Sequence, residues 1–275
     1  MPQLARIDYN DTMILNRIAF TIFGIDIYYY GLIISLAILL CVVLAIILAK
    51  AKKQESGMPL EIFLAIIPLG ILSARLFSVI FEPDLSIADY FNFRTGGMSI
   101  IGAIIGGAVG ATIYKFIKKK PFLQIADVIT SVLLLGQAIG RWGNYFNEEV
   151  YGLEITNPAN QWFPLGVNID GTWYEALFFY EFVLALLGFV AILIVYLKTR
   201  EKGLATGIYL VYYGIIRIIL ETRRQPQYIL KWGNVPVSAL VCALFIMAGI
   251  AILTYVIIKS LRQKKEQKIG RKKIY

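Results

Sequence analysis

Seven apolar segments limit what this chain can fold into more than any other feature of it. They run through residues 28–49, 60–81, 97–117, 124–140, 174–197, 205–221 and 235–258. Most reach the roughly 20 residues that a helix needs to cross a hydrocarbon layer. Lipid offers no hydrogen bonds, so a spanning segment must satisfy its own backbone, which an α-helix does. Apolar residues make up 58% of the chain and charged residues 16%, a balance that excludes a soluble domain of this length. The expected fold is an all-α polytopic membrane protein, residues 1–275 forming a single integral membrane domain with about seven transmembrane helices. The fourth and sixth segments are short, near the lower bound of about 17 residues. Short segments ending in polar motifs are expected where a helix stops at a cavity within the membrane.

Charge sets the orientation. Lys50, Lys52 and Lys53 follow the first segment, and Lys115, Lys118, Lys119 and Lys120 close or follow the third. Lys198, Arg200 and Lys202 follow the fifth, and a basic run follows the seventh. The alternate connections carry few cations. The positive-inside rule then places the N-terminus outside and the C-terminus in the cytoplasm. The net charge of +9 does not mark a nucleic-acid binder, because eight Lys or Arg against one Glu fall between Lys259 and Lys273. Residues 259–275 read as a basic cytoplasmic tail drawn to anionic lipid. The connection 141–173 holds Asn157-Pro158, Gly166, Asp170-Gly171 and three tryptophans, and reads as an ordered extracytoplasmic loop at the lipid interface.

The first 27 residues lack a basic head followed by an uninterrupted apolar core, so no signal peptide is expected there. Residues 18–27 alternate around Gly24, as in a short amphipathic hairpin on the membrane surface. Cys41 and Cys242 sit in apolar runs and read as small buried hydrophobes. The chain has no histidine, which removes every mechanism using an imidazole base or ligand. No cysteine spacing suggests a metal, and none is expected.

Residues 140–149 read Gly-Arg-Trp-Gly-Asn-Tyr-Phe-Asn-Glu-Glu at the end of the fourth segment. Polar side chains at a bilayer edge are costly unless partners or a ligand satisfy them, which makes them a site by default. The planar fork of Arg141 suits phosphate in a way lysine does not. Asn144 and Asn147 can bond a hydroxyl or a carbonyl. The structural alternative is an ion pair from Arg141 to Glu148 or Glu149 that ties the loop down. A second constellation is Arg217 with Glu221, four residues apart and so on one helix face, followed by Arg223 and Arg224. Its alternative is an internal structural ion pair.

The string at 140–149 resembles the signature of the prolipoprotein diacylglyceryl transferases, Gly-Arg-x-Gly-Asn-Phe-x-Asn-x-Glu. Arg141, Gly143, Asn144, Asn147 and Glu149 match it, and Tyr145 replaces the Phe. That family carries a similar Arg-x-x-x-Glu, matched by Arg217 and Glu221, with Arg224 beyond. Its Tyr-Gly-Leu is met by Tyr30-Gly31-Leu32, which leaves Tyr28 and Tyr29 as interfacial aromatics. Its Gly-Gly-Met-Ser is met by Gly96–Ser99, with Ile101 where many members have histidine or tyrosine. The glycines beyond, Gly102, Gly106, Gly107 and Gly110, read as helix-packing residues. Arg75 matches a family arginine and reads equally as a packing charge satisfied internally. The family's usual His-Pro-Thr-x-x-Tyr-Glu appears as Glu175-Ala176-Leu177-Phe178-Phe179-Tyr180-Glu181, keeping only Tyr-Glu.

The resemblance implies a bacterial plasma-membrane enzyme that moves the diacylglyceryl group of phosphatidylglycerol to the lipobox cysteine of a prolipoprotein signal peptide. It implies catalytic roles for Tyr30, Asn144, Glu149, Arg217 and Glu221, and substrate binding by Arg141, Gly143, Asn147, Gly152, Gly97 and Arg224. No cofactor is expected, since the phospholipid is a substrate. Two other readings stand beside this one: a lipid-binding or transport paralogue, and an enzyme of the family with another acceptor. A transporter would favour an inverted repeat, and none is visible.

Overall fold

A computed structural model of the chain describes residues 17–81, 85–92, 97–226, 229, 231–232 and 235–272. Gly96 and the ends of the chain lie outside the described residues. Seven helices dominate: α1 Tyr29–Ala51, α2 Met58–Phe81, α3 Ile100–Lys118, α4 Phe122–Phe146, α5 Leu177–Lys198, α6 Leu204–Glu221 and α7 Val237–Lys272. All seven are long and apolar enough to cross a membrane, and the protein is a multi-pass membrane protein. Strands are minor and form three antiparallel pairs: β1 Ile18–Ile22 with β2 Ile25–Tyr28, β3 Gly166–Ile169 with β4 Thr172–Glu175, and β5 Lys231–Trp232 with β6 Val235–Pro236. The expected hairpin around Gly24 is present. Its turn uses Phe23 (φ 48°) and Gly24 (φ 76°), the left-handed pair that a two-residue hairpin loop requires.

Several boundaries differ from the hydropathy reading, among them the start of α5 at Leu177 rather than residue 174, which lies in β4. The fourth segment is not short, because α4 has 25 residues and continues to Phe146. The first part of the signature is therefore helical, and the connection begins at Asn147 rather than Arg141. Polar side chains end a hydropathy window without ending a helix, whose own hydrogen bonds are in the backbone. The third helix starts at Ile100 rather than Gly97, since Gly97 is left-handed (φ 74°) and Ser99 caps the helix through the N–H of Gly102. The basic run after the seventh span is helical, because α7 continues through it to Lys272.

The chain divides into two compact units. One comprises described residues within Met1–Leu40, Leu133–Ala191 and Tyr209–Ile250, and the other those within Cys41–Val132, Ile192–Ile208 and Ala251–Tyr275.

In the second unit α2 and α3 pack antiparallel through a glycine stripe. A side chain at Gly102, Gly106 or Gly110 would meet the carbonyls of Ser73, Leu69 and Ala65 respectively. Small residues let the two backbones approach, which is how helices associate where lipid is as apolar as leucine. Gly107 departs from this expectation, as nothing lies within 4 Å of a Cβ placed there. Arg75 is fully buried and donates to the carbonyls of Asp89 (2.6 and 3.2 Å), Asn92 (2.7 Å) and Gly97 (3.1 Å). Its charge holds the segment between α2 and α3 by backbone oxygens, in keeping with the packing alternative. Buried Asp127 of α4 caps α6: its carboxylate accepts from the N–H of Gly203 (2.6 Å) and from the N–H (2.9 Å) and hydroxyl (2.7 Å) of Thr206. A carboxylate there also complements the positive end of the helix.

Candidate active site

The site belongs wholly to the first unit, and it begins with how α4 ends. Glu148 takes a left-handed conformation (φ 52°). The N–H of Glu148 bonds the carbonyl of Tyr145 (3.1 Å) and that of Glu149 bonds the carbonyl of Asn144 (3.0 Å). This pair of bonds is a Schellman turn, with glutamate in the place glycine usually fills. The turn folds Glu149 back against the last helical residues. Its Oε1 then accepts from the side-chain amides of Asn144 (3.0 Å) and Asn147 (3.3 Å). The spacing Asn-x-x-Asn-x-Glu is thus the spacing of a self-contained hydrogen-bonded turn.

Arg141 lies one turn earlier. Its Nη1 donates to Asn144 Oδ1 (3.4 Å), and its Nε lies 2.5 Å from Oε2 of Glu181 on α5. The expected alternative partner, Glu148 or Glu149, is replaced by Glu181; Glu149 reaches Arg141 only through Asn144. Trp142 keeps α4 and α5 together by edge contacts with Phe178 and Phe182, ring centroids 5.6 Å away in each case. Gly143 faces the ring of Tyr30 on α1, whose Cδ2 would lie 2.6 Å from an added Cβ.

Glu181 is 7% exposed and gathers three cations. Besides Arg141, Arg217 of α6 donates to its Oε1 at 2.8 Å, and Arg224 Nη2 lies 3.8 Å from the same oxygen. Arg217 also pairs with Glu221 at 3.2 Å, as their shared helix face predicts. The other oxygen of Glu221 accepts a 2.5 Å hydrogen bond from Ser238 at the start of α7. Arg224, just past α6, is pushed below the ordinary guanidinium value by burial and then by the like charge of Arg217. Neighbouring Arg223 is held above it by its hydrogen bond and charge contact with Glu175.

The backbone explains where Arg224 sits. Gly152 forms an antiparallel bridge with Arg224 and donates its N–H to the carbonyl of Glu175 (2.9 Å). A Cβ at Gly152 would meet Glu175 Cβ at 2.7 Å, so only glycine lets these strands close. Gly152 thus acts on the site through the backbone. Gly97, also expected at the site, belongs to the second unit, where its carbonyl is engaged by Arg75.

Beside these charges is a partly open cavity lined by Gln137, Arg141, Glu181, Tyr212, Tyr213 and Arg217 among others. Among the described residues, two buried polar atoms of this unit have neither a hydrogen-bond nor an ion-pair partner: Gln137 Oε1 and Arg224 Nε. Buried polar atoms are nearly always satisfied, so the two mark where a ligand completes the set. Three guanidinium groups facing two buried carboxylates leave an excess of one positive charge, which fits an anion.

Glu181, the centre of the cluster, was visible in the sequence only as the retained Tyr-Glu and was not among the expected site residues. Gln137 and Ser238 gave no signal there at all.

A family model described as prolipoprotein diacylglyceryl transferase matches residues 17–255. Several bacterial proteins named phosphatidylglycerol–prolipoprotein diacylglyceryl transferase are similar over most of their length. One from Finegoldia magna is 38% identical over 245 residues, covering 86% of this chain and 94% of its own. One from Clostridium perfringens is 35% identical, covering 91% and 98%. One from Listeria monocytogenes is 34% identical, covering 90% and 91%. With the signature folded as one turn against a partly buried arginine cluster, and with these likenesses running nearly end to end, the chain belongs to the prolipoprotein diacylglyceryl transferase family.

Proposed function

We propose that this protein transfers the diacylglyceryl group of phosphatidylglycerol to the lipobox cysteine of prolipoproteins, in the bacterial plasma membrane. The chain acts as a single integral membrane domain, with its N-terminus outside, the 141–173 region extracytoplasmic and the 259–275 tail cytoplasmic. The observation that carries the reading is the convergence of Arg141, Arg217 and Arg224 on Glu181 beside a cavity with unsatisfied polar atoms.

In this reading the cysteine sulfur attacks the glyceryl carbon that bears phosphate. A C–S bond forms, the C–O bond to phosphate breaks, and its electron pair leaves with glycerol phosphate. The thiol proton goes to water. The protein supplies no nucleophile, because the acceptor brings the sulfur. Its work is to hold two membrane-bound substrates in line and to stabilise charge on the departing phosphate. Arg141, Arg217 and Arg224 surround that phosphate. Asn144 and Asn147, set by Glu149, bond the lipid's ester carbonyls, and Glu221 orients Arg217. Tyr30 packs on Gly143 at the rim, and Gly152 shapes the approach through backbone. The same cations favour the thiolate, which is only a few per cent of a free thiol with a pKa of about 8.5 at neutral pH.

The test uses purified protein with phosphatidylglycerol and a lipobox peptide, read by peptide mass. The expected product carries one diacylglyceryl group on cysteine, and a Cys→Ser peptide gains nothing. An unchanged peptide with well-folded enzyme would overturn the reading.

A further inference from the structure

Gln137 lies four residues before Arg141 on α4, so the two side chains share one helix face, with Cβ atoms about 5–6 Å apart. Both line the same cavity. One end of the Gln137 amide is used, as Nε2 donates to the hydroxyl of Tyr209 (3.0 Å). Tyr209 is itself fixed by stacking on Tyr213, with ring centroids 5.7 Å apart and 8° between planes. The other end, Oε1, is buried and has no partner. A donor from outside the protein is therefore missing at a place one helical turn from the guanidinium of Arg141.

We infer that Gln137 is a specificity-determining residue that takes a hydroxyl of the lipid's glycerol headgroup, rejecting phospholipids whose alcohol lacks one. The inference rests on the proposed donor, phosphatidylglycerol, and adds what reads its headgroup. The chemistry of that lipid leaves one choice. Its phosphodiester and its two acyl esters only accept hydrogen bonds, whereas the headgroup glycerol carries two hydroxyls that donate. The nearer hydroxyl is only two carbons from the phosphate ester oxygen, so a phosphate at Arg141 puts it within reach of Gln137. A hydroxyl both donates and accepts, so it satisfies this amide whichever end faces the cavity. A cationic headgroup, which also donates, is disfavoured by the three arginines.

The experiment compares two donors with the same lipobox peptide: phosphatidylglycerol and phosphatidylpropanol, which keeps the phosphodiester and chain length but has no hydroxyl. Wild type is expected to prefer phosphatidylglycerol in kcat/KM by about tenfold or more, the worth of one hydrogen bond to an otherwise unpaired buried group. Gln137→Met keeps the length and apolar stem of the side chain and removes both polar ends. It should bring the ratio to within about threefold of unity, the worth of a fraction of that bond. A purely structural role would lower both donors together and leave the ratio unchanged, which would overturn the inference. A wild type without preference would also overturn it, and needs no variant. A second measurement uses wild type alone: free glycerol phosphate should inhibit about tenfold better than propyl phosphate, and equal inhibition counts against Gln137. Failure of wild type to use phosphatidylglycerol at all would instead overturn the proposed function, and this inference with it.

Discussion

Arg141 uses two different nitrogens for two different tasks: Nε faces Glu181 and Nη1 faces Asn144. A lysine has one nitrogen and no fork, so Arg141→Lys keeps the charge but cannot hold both partners. The expected loss in kcat/KM is on the order of 10²–10³, typical of removing one donor from a developing anion. The protein should stay inserted and monodisperse by size-exclusion chromatography. Turnover near that of wild type would discard the phosphate assignment. Glu149 is tested by a pair of variants. Its structural work is to accept from Asn144 and Asn147, and glutamine still offers an accepting oxygen. Glu149→Gln should therefore stay within about fivefold of wild type, while Glu149→Ala frees both asparagines and should raise KM for the lipid about tenfold. In the alanine variant a higher pH should recover part of the rate, because more of the acceptor is thiolate as pH rises toward about 8.5. If Glu149→Gln abolishes turnover at every pH with lipid affinity intact, Glu149 is the base and the positioning role is wrong.

At the scale of the element, the glycine stripe makes a contrast on a single helix. Gly106→Leu forces a side chain into the α2 carbonyl of Leu69 and should destabilise the α2–α3 pair by about 3 kcal/mol or more, the upper range of overpacking. Gly107→Leu, one residue on, points into open space and should cost less than about 1 kcal/mol. Unfolding in detergent, followed by near-ultraviolet circular dichroism, separates the two. Equal loss in both would mean that α3 packs in another rotation. Elements also show where sequence reading succeeds. Apolar runs found all seven helices, since spanning a bilayer demands length and hydrophobicity that little else imitates. Alternation around Gly24 found the β1–β2 hairpin. The end of α4 was misplaced because Arg141 and Asn144 read as loop by polarity, while the backbone bonds that keep them helical leave no mark in composition. The pair Arg217–Glu221 was legible, being four apart on one helix. Glu181 was not, because its cations lie 40 residues before and 36 after it, and only the fold brings them together.

For the whole molecule, the asymmetry of charge carries the prediction. Alkaline phosphatase, active only outside the cytoplasm, is expected to be active when inserted in the β3–β4 turn between Asp170 and Gly171. It is expected to be inactive when fused after Tyr275. The reverse pattern would put the arginine cluster's loop on the side away from secreted acceptors and would sink the proposed topology.

The Schellman turn that ends α4 has a consequence for the order in which the site comes into being during synthesis. Its hydrogen bonds join residues at most five apart, so the turn can close as soon as Glu149 has been made. At that moment Arg141 has Asn144 beside it but not its ion-pair partner, because Glu181 has yet to be made. Glu181 arrives with α5, Arg217 with α6 and Arg224 last of the three cations. A nascent chain thus builds the signature turn before the charged groups that meet it across the fold. Any product truncated before Arg224 carries an incomplete set of arginines, however soundly its earlier helices are folded.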